Sequence, residues 1–578
     1  MGTERMRAAV TAVCIVTLLF PGVLTAPAGE QQSPAVSSTQ AAATSQSSAV
    51  APQEHASAAP SSSPAGSKVC AITSDTAPRL SAPLASALKL YRTGKFDEAI
   101  AAYTAILPTG GSEAAAAYAG LARVYLEQNN SAQAFVAAQK AVTLTPDHAP
   151  AIVALGEVYF RQGKLSEAQA AFAKPLHACD LDARAFLGLN QLYTVSLNWK
   201  SAKSNIDQAF KLDPDDPDIQ RVYMSTLRGS DRIKALTEYL AGATDDDPQA
   251  RANLQKELDA LQAQANRPPN ACRLVNKLNS TEAKLEPLHD EPKHVRGYGL
   301  TVKVNGVSSR LLLDTGAGGI LIDRTIADKA GVKSLRDIKV GGIGDTGPTA
   351  GFLGHADKIQ IGELEFEDCL VEVAGGRSIV GSDGLIGANV FRHFLVDIYM
   401  PANKLKLSEL PPYPDEPVAD ISLDSRESQE PHRHDRYVPP AMKDFTPIYE
   451  FGHGLLIPTS VNGSPPALFL IDTGAFDNQL ALAKAQEVTK VAADYESRVK
   501  GVSGTVKKVY TAQNATLQFA NIKQEREDLV TIDLTHISDS FGTEISGVLG
   551  FAMLWMLDMK IDYRDGLVKF TAEERFLK

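Results

Sequence analysis

The tetrapeptide Asp-Thr-Gly-Ala occurs twice in this 578-residue chain, as Asp314-Thr315-Gly316-Ala317 and as Asp472-Thr473-Gly474-Ala475. Each copy directly follows an apolar run, Leu311-Leu312-Leu313 and Leu468-Phe469-Leu470-Ile471. Two carboxylates held a few ångströms apart do not both ionise, so their apparent pKa values separate and the pair keeps one proton. Such a pair can take a proton from water and give one to a carbonyl oxygen or leaving amine, which hydrolyses an amide without a metal or a covalent nucleophile. Asp314 and Asp472 are therefore the candidate catalytic residues. Gly316 and Gly474 allow the tight backbone approach that brings the two turns together.

Two patterns near this site compete for the same residues. A third Asp-Thr-Gly, Asp345-Thr346-Gly347, follows Gly341-Gly342-Ile343-Gly344 instead of an apolar strand, which assigns it to the tip of a flap. The same stretch spells Gly342-x-Gly344-x-x-Gly347, a dinucleotide-binding pattern, but Pro348 stands where a helix would have to begin. No cofactor is expected. A mobile Gly-rich hairpin over the dyad is the better account of Gly342, Ile343 and Gly344, and the second copy repeats it as Gly501-Val502-Ser503-Gly504.

The elements that position these turns are also written twice. Leu300 to Val304 alternates as a strand does, Asn305-Gly306 is a hairpin signal, and the next strand runs into Asp314; Leu455 to Val461, Asn462-Gly463 and the run into Asp472 repeat that order. Leu385-Ile386-Gly387 pairs with Val548-Leu549-Gly550, and Val396-Asp397-Ile398-Tyr399 with Lys560-Ile561-Asp562-Tyr563. The spacing drifts slowly upward between copies, as small loop insertions produce. The reading is an internal duplication of one β-lobe, with lobe 1 at 296–410, lobe 2 at 451–578, and a Pro-rich, charge-rich linker at 411–450.

At these residues the chain resembles aspartic peptidases of the retropepsin and pepsin type, over the whole C-terminal half. The resemblance implies that Thr315 and Thr473 hydrogen-bond inward to fix the two loops. It also implies that Leu385 to Gly387 and Val548 to Gly550 pack behind the catalytic turns. The implied substrates are extended polypeptides in apolar pockets under the flaps. Pepsin-like relatives usually carry Ser or Thr where Ala317 and Ala475 stand, whereas the retropepsin-like pattern has Ala. That loss of a donor to the charged dyad implies a weakly acidic optimum, about pH 4.5 to 6.5. A rival reading is a noncatalytic peptide-binding scaffold, and a third has each lobe pairing with its twin in another molecule, as single-lobe relatives do.

Upstream, Leu84 to about Ala265 is rich in helix formers with apolar spacing of three and four. Leu144-Thr145-Pro146 aligns with Leu212-Asp213-Pro214 across two periods of about 34 residues. Tyr118, Leu121, Tyr125 and Ala134 recur as Ile152, Leu155, Tyr159 and Ala168, then as Phe186, Leu189, Tyr193 and Ala202. This region, 80–265, resembles tetratricopeptide repeats over four units, with Ile219 to Ala265 as a C-terminal cap; it implies a curved solenoid whose groove takes a substrate or partner protein. Residues 266–295 are read as a linker. The fold class is thus multidomain α + β, a tetratricopeptide α-solenoid followed by a bilobal, mostly β aspartic-peptidase fold.

Arg5 and Arg7 precede the apolar run Ala8 to Phe20, which is interrupted by Pro21-Gly22 and is shorter than a spanning helix. Residues 1–28 therefore read as a secretory signal, and export to a periplasm or to the outside is expected. A membrane enters only if that signal stays uncleaved. Residues 29–78, dominated by Ala, Ser, Gln and Pro, read as a disordered tether. Beyond the signal, Cys70, Cys179, Cys272 and Cys369 allow three pairings, or none. A net charge of −11 gives no basic footprint for nucleic acid. His432-x-His434 lacks further ligands, so no metal site is assigned; no His-Glu-x-x-His or Gly-x-Ser-x-Gly motif occurs.

Overall fold

The computed structural model describes residues 80–178, 181–242, 248–265, 272–276, 278–291, 294–375, 382–414 and 434–572. The expected signal and tether, Cys70, Cys179 and His432 lie outside the described residues. Among the described residues no helix is long and apolar enough to cross a membrane.

Four helical hairpins open the described chain: Ala82–Arg92 with Phe96–Ile106, Gly111–Glu127 with Ser131–Leu144, Ala149–Arg161 with Leu165–His177, and Ala183–Val195 with Trp199–Leu212. Pro217–Thr226, Gly229–Gly242 and Pro248–Ala265 follow as the cap. Small residues let the helices approach closely, with Ala99, Ala134, Ala168 and Ala202 all buried. Each hairpin turns on a left-handed residue, at Gly94 (φ 72°), Asn129 (56°), Gly163 (70°) and Leu197 (56°). Leucine is costly in that region. Leu197 is held there by burial, its Cδ1 lying 2.8 Å from where a Cβ on Gly566 would be, so Gly566 of lobe 2 leaves the room it needs.

On the face shared by the first helices of the hairpins, ion pairs run from unit to unit. Arg123 Nε meets Glu157 at 2.7 Å, Arg184 Nε meets the same carboxylate at 2.8 Å, and Arg184 continues to Asp216 and Asp218 at 2.8 and 2.9 Å. The Tyr91 hydroxyl donates to Asp218 at 3.3 Å and so ties the first helix to the cap. Successive units of the solenoid and its cap are thus tied to one another by their own charges.

The C-terminal half is built from strands β1 (Arg273–Leu274), β2 (Ser280–Lys284), β3 (Glu286–Glu291), β4 (His294–Val304), β5 (Val307–Asp314) and β6 (Ile320–Asp323). Lobe 1 continues with β7 (Lys333–Val340), β8 (Thr349–Ile361), β9 (Leu364–Ala374), β10 (Gly384–Gly387), β11 (Phe394–Tyr399) and β12 (Lys404–Glu409). Lobe 2 opens with β13 (Thr446–Pro447), β14 (Tyr449–Phe451), β15 (Gly454–Val461), β16 (Ala467–Asp472) and β17 (Gln479–Ala481). It goes on through β18 (Val491–Asp494), β19 (Lys500–Gly501), β20 (Gly504–Thr505), β21 (Val509–Phe519) and β22 (Ile522–Ile532). It closes with β23 (Gly547–Gly550), β24 (Leu557–Asp562) and β25 (Leu567–Ala572).

Lobe 1 is a nine-stranded sheet and lobe 2 an eight-stranded one, while a six-stranded sheet ordered β13-β25-β24-β11-β12-β2 joins them. At its centre β11 pairs antiparallel with β24, one closing strand from each copy of the duplication. Two expectations about linkers are corrected here. Residues 266–295 carry β1, β2 and β3, and β2 forms an edge of the joining sheet, because Thr281 and Leu285 find buried places there. Residues before 451 already belong to lobe 2 through β13 and β14.

A disulfide joins Cys272 to Cys369 and staples β1 to β9, closing a separation of 97 residues. A loop of that size confines the unfolded chain by about 4 to 5 kcal/mol in the chain-entropy account. Reductant, or Cys272→Ser, is expected to lower the denaturant midpoint of the C-terminal half accordingly; a midpoint indifferent to both would show that the staple carries no stability.

The solenoid docks on lobe 2. The Phe160 carbonyl accepts from Thr543 Oγ1 at 3.0 Å, the Arg161 carbonyl from the Glu544 N–H at 2.8 Å, and Arg161 Nη1 donates to the Ser538 carbonyl at 3.1 Å. Leu165 and Val195 share a buried cluster with Leu468, Phe541 and Ile545. The receiving helix, Thr535–Phe541, belongs to lobe 2.

Candidate active site

The two Asp-Thr-Gly turns meet between the lobes. β10 runs parallel to β5 with Gly387 opposite Asp314, and β23 runs parallel to β16 with Gly550 opposite Asp472, so each turn has its packing strand behind it. The threonines interlock. Thr315 Oγ1 donates to the Ile471 carbonyl at 2.8 Å and accepts from the Thr473 N–H at 3.0 Å. Thr473 Oγ1 donates to the Leu313 carbonyl at 2.8 Å and accepts from the Thr315 N–H at 3.1 Å. Four hydrogen bonds thus cross the interface within one chain, and no second copy is needed to complete the pair.

Both aspartates are fully buried. Asp314 Oδ1 accepts from the Gly316 N–H at 2.8 Å; Asp472 Oδ1 accepts from the Gly474 and Ala475 N–H groups at 2.8 and 2.9 Å. A Cβ on Gly316 would stand 2.6 Å from Asp472 Cγ, and one on Gly474 would stand 2.3 Å from Asp314 Oδ2. Only glycine lets each turn press against the opposite carboxyl. Burial, then the charge of Asp472 and its hydrogen bond, raise the Asp314 pKa well above the ordinary carboxylate range, outweighing the N–H groups of Gly316 and Ala317. A dyad that retains one proton follows.

Above the dyad the two flaps are joined to each other. The Ser503 N–H donates to the Ile343 carbonyl at 3.0 Å, the Gly342 N–H to Ser503 Oγ at 3.1 Å, and the Thr346 N–H to the Ser503 carbonyl at 2.8 Å. Gly344, at φ 132°, faces the Ser503 carbonyl so closely that any Cβ would lie 2.3 Å from it, and a Cβ on Gly504 would meet Thr346 Oγ1 at 2.5 Å. Asp345, the decoy, lies in this seam and accepts from the Lys507 N–H at 2.8 Å, away from the dyad's own hydrogen bonds. The flap tips also exchange apolar residues. Ile343 joins the lobe 2 cluster that contains Ala475 and Val548, while Val502 packs on the lobe 1 cluster that contains Ala317 and Leu385.

Sequence reasoning missed His453. It sits in the turn between β14 and β15, directly after Gly452 at φ 61°, and its imidazole hydrogen-bonds the backbone of Gly316 in the other lobe. Burial holds its pKa down at about 4 despite that bond, so it is neutral over most of the acidic range. A histidine following a turn glycine carries no spacing signal that could have revealed it. Of the histidine pair in the linker, His434 stacks on Tyr413 at 4.3 Å between ring centres, and among the described residues no group of His, Cys, Asp and Glu could hold a metal.

Comparison with known proteins agrees with this geometry. Residues 300–393 match the gag-polyprotein aspartyl protease family, residues 457–553 the aspartyl protease family, and residues 84–149 the tetratricopeptide repeat family. Two segments of the C-terminal half, one in each lobe, thus each match an aspartyl protease family. Among curated proteins, DNA damage-inducible protein 1 of Neurospora crassa is 32% identical over 108 residues, 18% of this chain and 24% of that protein. Its counterpart in Cryptococcus neoformans is 25% identical over 162 residues, 27% of this chain and 36% of that protein. The chain thus spans about a quarter to a third of the length of these relatives. An aspartic proteinase from Irpex lacteus aligns with 51% of this chain and 98% of its own, at 14% identity and TM-score 0.32. A tetratricopeptide repeat protein of Thermus thermophilus aligns with 31% of this chain and 97% of its own, at 21% identity and TM-score 0.26.

Proposed function

We propose that this chain is an exported aspartic endopeptidase that hydrolyses extended polypeptides held beneath its two flaps. The observation that carries the reading is the buried pair Asp314 and Asp472, set against each other by glycines and interlocked threonines. Water between the carboxyls attacks the scissile carbonyl carbon; the ionised carboxylate takes its proton while the protonated one gives its own to the carbonyl oxygen. As the diol collapses and the C–N bond breaks, the carboxyl that took a proton from water passes it to the leaving amine while the other, now ionised, carboxylate takes a proton from a diol hydroxyl, so the new carboxylic acid forms and the dyad again holds one proton. Support for export comes from the Arg5 to Phe20 pattern and from the Cys272–Cys369 disulfide, which suits an oxidising compartment. The test is a digest of a denatured protein mixture by the purified chain, read by mass spectrometry. Internal cleavages that vanish in Asp314→Asn are expected; fragments trimmed only from chain ends, or none, would overturn the reading.

Recruitment of a protein substrate or partner by the solenoid belongs to the same proposal. Because one face of the first helices is crossed by the Arg123–Glu157–Arg184 ladder, a ligand on that face would have to replace those ion pairs. A chain starting at Ala271 keeps Cys272, β2 and both aspartates, and is expected to cleave short peptides as a monomer while cleaving a natural protein substrate more slowly. Starting at Pro292 instead removes β1 to β3 and should unfold the joining sheet's edge. Equal rates on peptide and protein in the Ala271 form would exclude recruitment.

A further inference from the structure

Alternation along the strands beside the dyad separates a core face from a cleft face. In β6, Ile320 and Ile322 enter the main core, whereas Leu321 joins the cluster of Ala317, Val340 and Leu385 that Val502 of the opposite flap covers. β9 follows the same rule. Val371 and Val373 enter the core, and Ala374 packs on that cleft-side cluster, which places Glu372 on the cleft face between them. In lobe 2, Leu480 of β17 enters the core while Ala481 joins the cluster of Ala475, Val548 and Ile343, so Gln479 shares the cleft face.

The register makes Gln479 the counterpart of Leu321 and Glu372 the counterpart of Val530, so the two polar residues take the two opposite places of one equivalent cross-strand pair. Leu321 lies opposite Leu385 on one side and Glu372 on the other; Gln479 lies opposite Val548 and Val530 in the same way. Each lobe therefore has one polar side chain in an otherwise apolar cross-strand pair, Leu321 with Glu372 and Gln479 with Val530. Counting strands about 4.8 Å apart, Gln479 lies roughly 10 Å from the strand of Asp472 and Glu372 roughly 14 Å from that of Asp314, within reach of residues flanking a scissile bond.

Among the described residues neither side chain is satisfied. Gln479 is 0% exposed and both its amide oxygen and nitrogen lack a hydrogen-bond partner among the described residues. Glu372 is 7% exposed, has no hydrogen bond or ion pair among the described residues, and feels only Arg336, which is itself exposed on β7. Burial raises its pKa to about 7. Unmade bonds in a buried apolar wall are what an arriving ligand can complete. A cation brought to Glu372 would ionise the carboxyl and form a charge-assisted bond, and a neutral hydrogen-bonding head would satisfy both ends of the Gln479 amide.

Resting on the peptidase reading above, we propose that Glu372 and Gln479 are the selecting ends of two subsites flanking the dyad. The favoured peptide carries a basic side chain against lobe 1 and an amide or hydroxyl side chain against lobe 2.

The experiment is cleavage of a peptide library randomised on both sides of the scissile bond, with kcat/KM ranked by mass spectrometry for the full chain and for Glu372→Gln, Glu372→Leu and Gln479→Leu. The unsubstituted chain should prefer Lys or Arg over norleucine by about tenfold at one position, and Asn, Gln, Ser or Thr over Leu at another. Glu372→Gln should abolish the basic preference and Glu372→Leu reverse it, with the other position unmoved; Gln479→Leu should switch only its own position to apolar residues. Melting curves identify variants that remain folded. Cleavage without these preferences, or preferences unmoved in the folded variants, overturns this inference alone. Absence of cleavage of every peptide by the unsubstituted chain overturns the peptidase reading and this inference with it.

Discussion

Asp314→Asn and Asp472→Asn should each lower kcat/KM by roughly a thousandfold or more, and the double variant should be little worse than either. The two carboxyls form one unit: one must be ionised to take a proton while the other gives one, so losing either removes both roles. The structure also supplies a control for folding. Asp314 is buried with its pKa raised, so its contribution to stability is fully present below the unfolded value of about 3.9 and is lost as pH rises through the folded value. Replacing it with an uncharged amide should therefore leave thermal stability at neutral pH equal or higher, even as activity disappears. Asp345→Asn, at the flap seam, should keep most activity, because the Asp345 carboxylate accepts from the Lys507 N–H and makes no hydrogen bond to the dyad. Appreciable turnover by either dyad variant, measured by release of a quenched fluorescent peptide, would break the pairing.

The duplication was legible because its marks are local. An apolar strand, an Asn-Gly turn with φ of 47° and 84° at Asn305 and Gly306, and a second strand into Asp314 are dictated within a few residues, and the repeat at Asn462 (51°) and Gly463 (75°) needed no distant information. The solenoid was legible for the same reason, through alanines that must recur wherever helices touch. What escaped depends on contacts between segments hundreds of residues apart. Arg161 meets Ser538 and Asp539, and Ser201 meets Asp435, through turns that would read the same if they faced water. β2 looked like linker because its polar alternation gains sense only beside β12. Cys272 and Cys369 were one of several pairings until β1 lay beside β9. The polarity of the cleft wall was hidden too. Glu372 sits between Val371 and Val373 as any half-exposed strand residue would, and only the register with Leu321 turns it towards the dyad.

The rate profile should be bell-shaped with a weakly acidic optimum, above that of a pepsin dyad whose values are about 1.5 and 4.7. Catalysis needs the dyad to hold one proton, and the falling limb marks its loss. At Asp314 that loss is postponed, first by burial and then by Asp472, against only the backbone donors Gly316 and Ala317. Ala317 and Ala475 are buried beside the carboxyls and bring no hydroxyl to the charged form. Their joint replacement, Ala317→Ser with Ala475→Ser, adds a donor that favours ionisation, so the falling limb should move to lower pH. His453 gives an independent check on the acid side. With its pKa at about 4, its protonation begins only there, and its own contribution to stability, present above the unfolded value, is lost as pH falls towards 4. His453→Gln should therefore reduce acid sensitivity of folding while leaving the falling limb in place. An optimum below pH 3 in the unsubstituted chain, or an unmoved falling limb in a folded double serine variant, would mean that the dyad's proton is governed by some neighbour other than these two alanines.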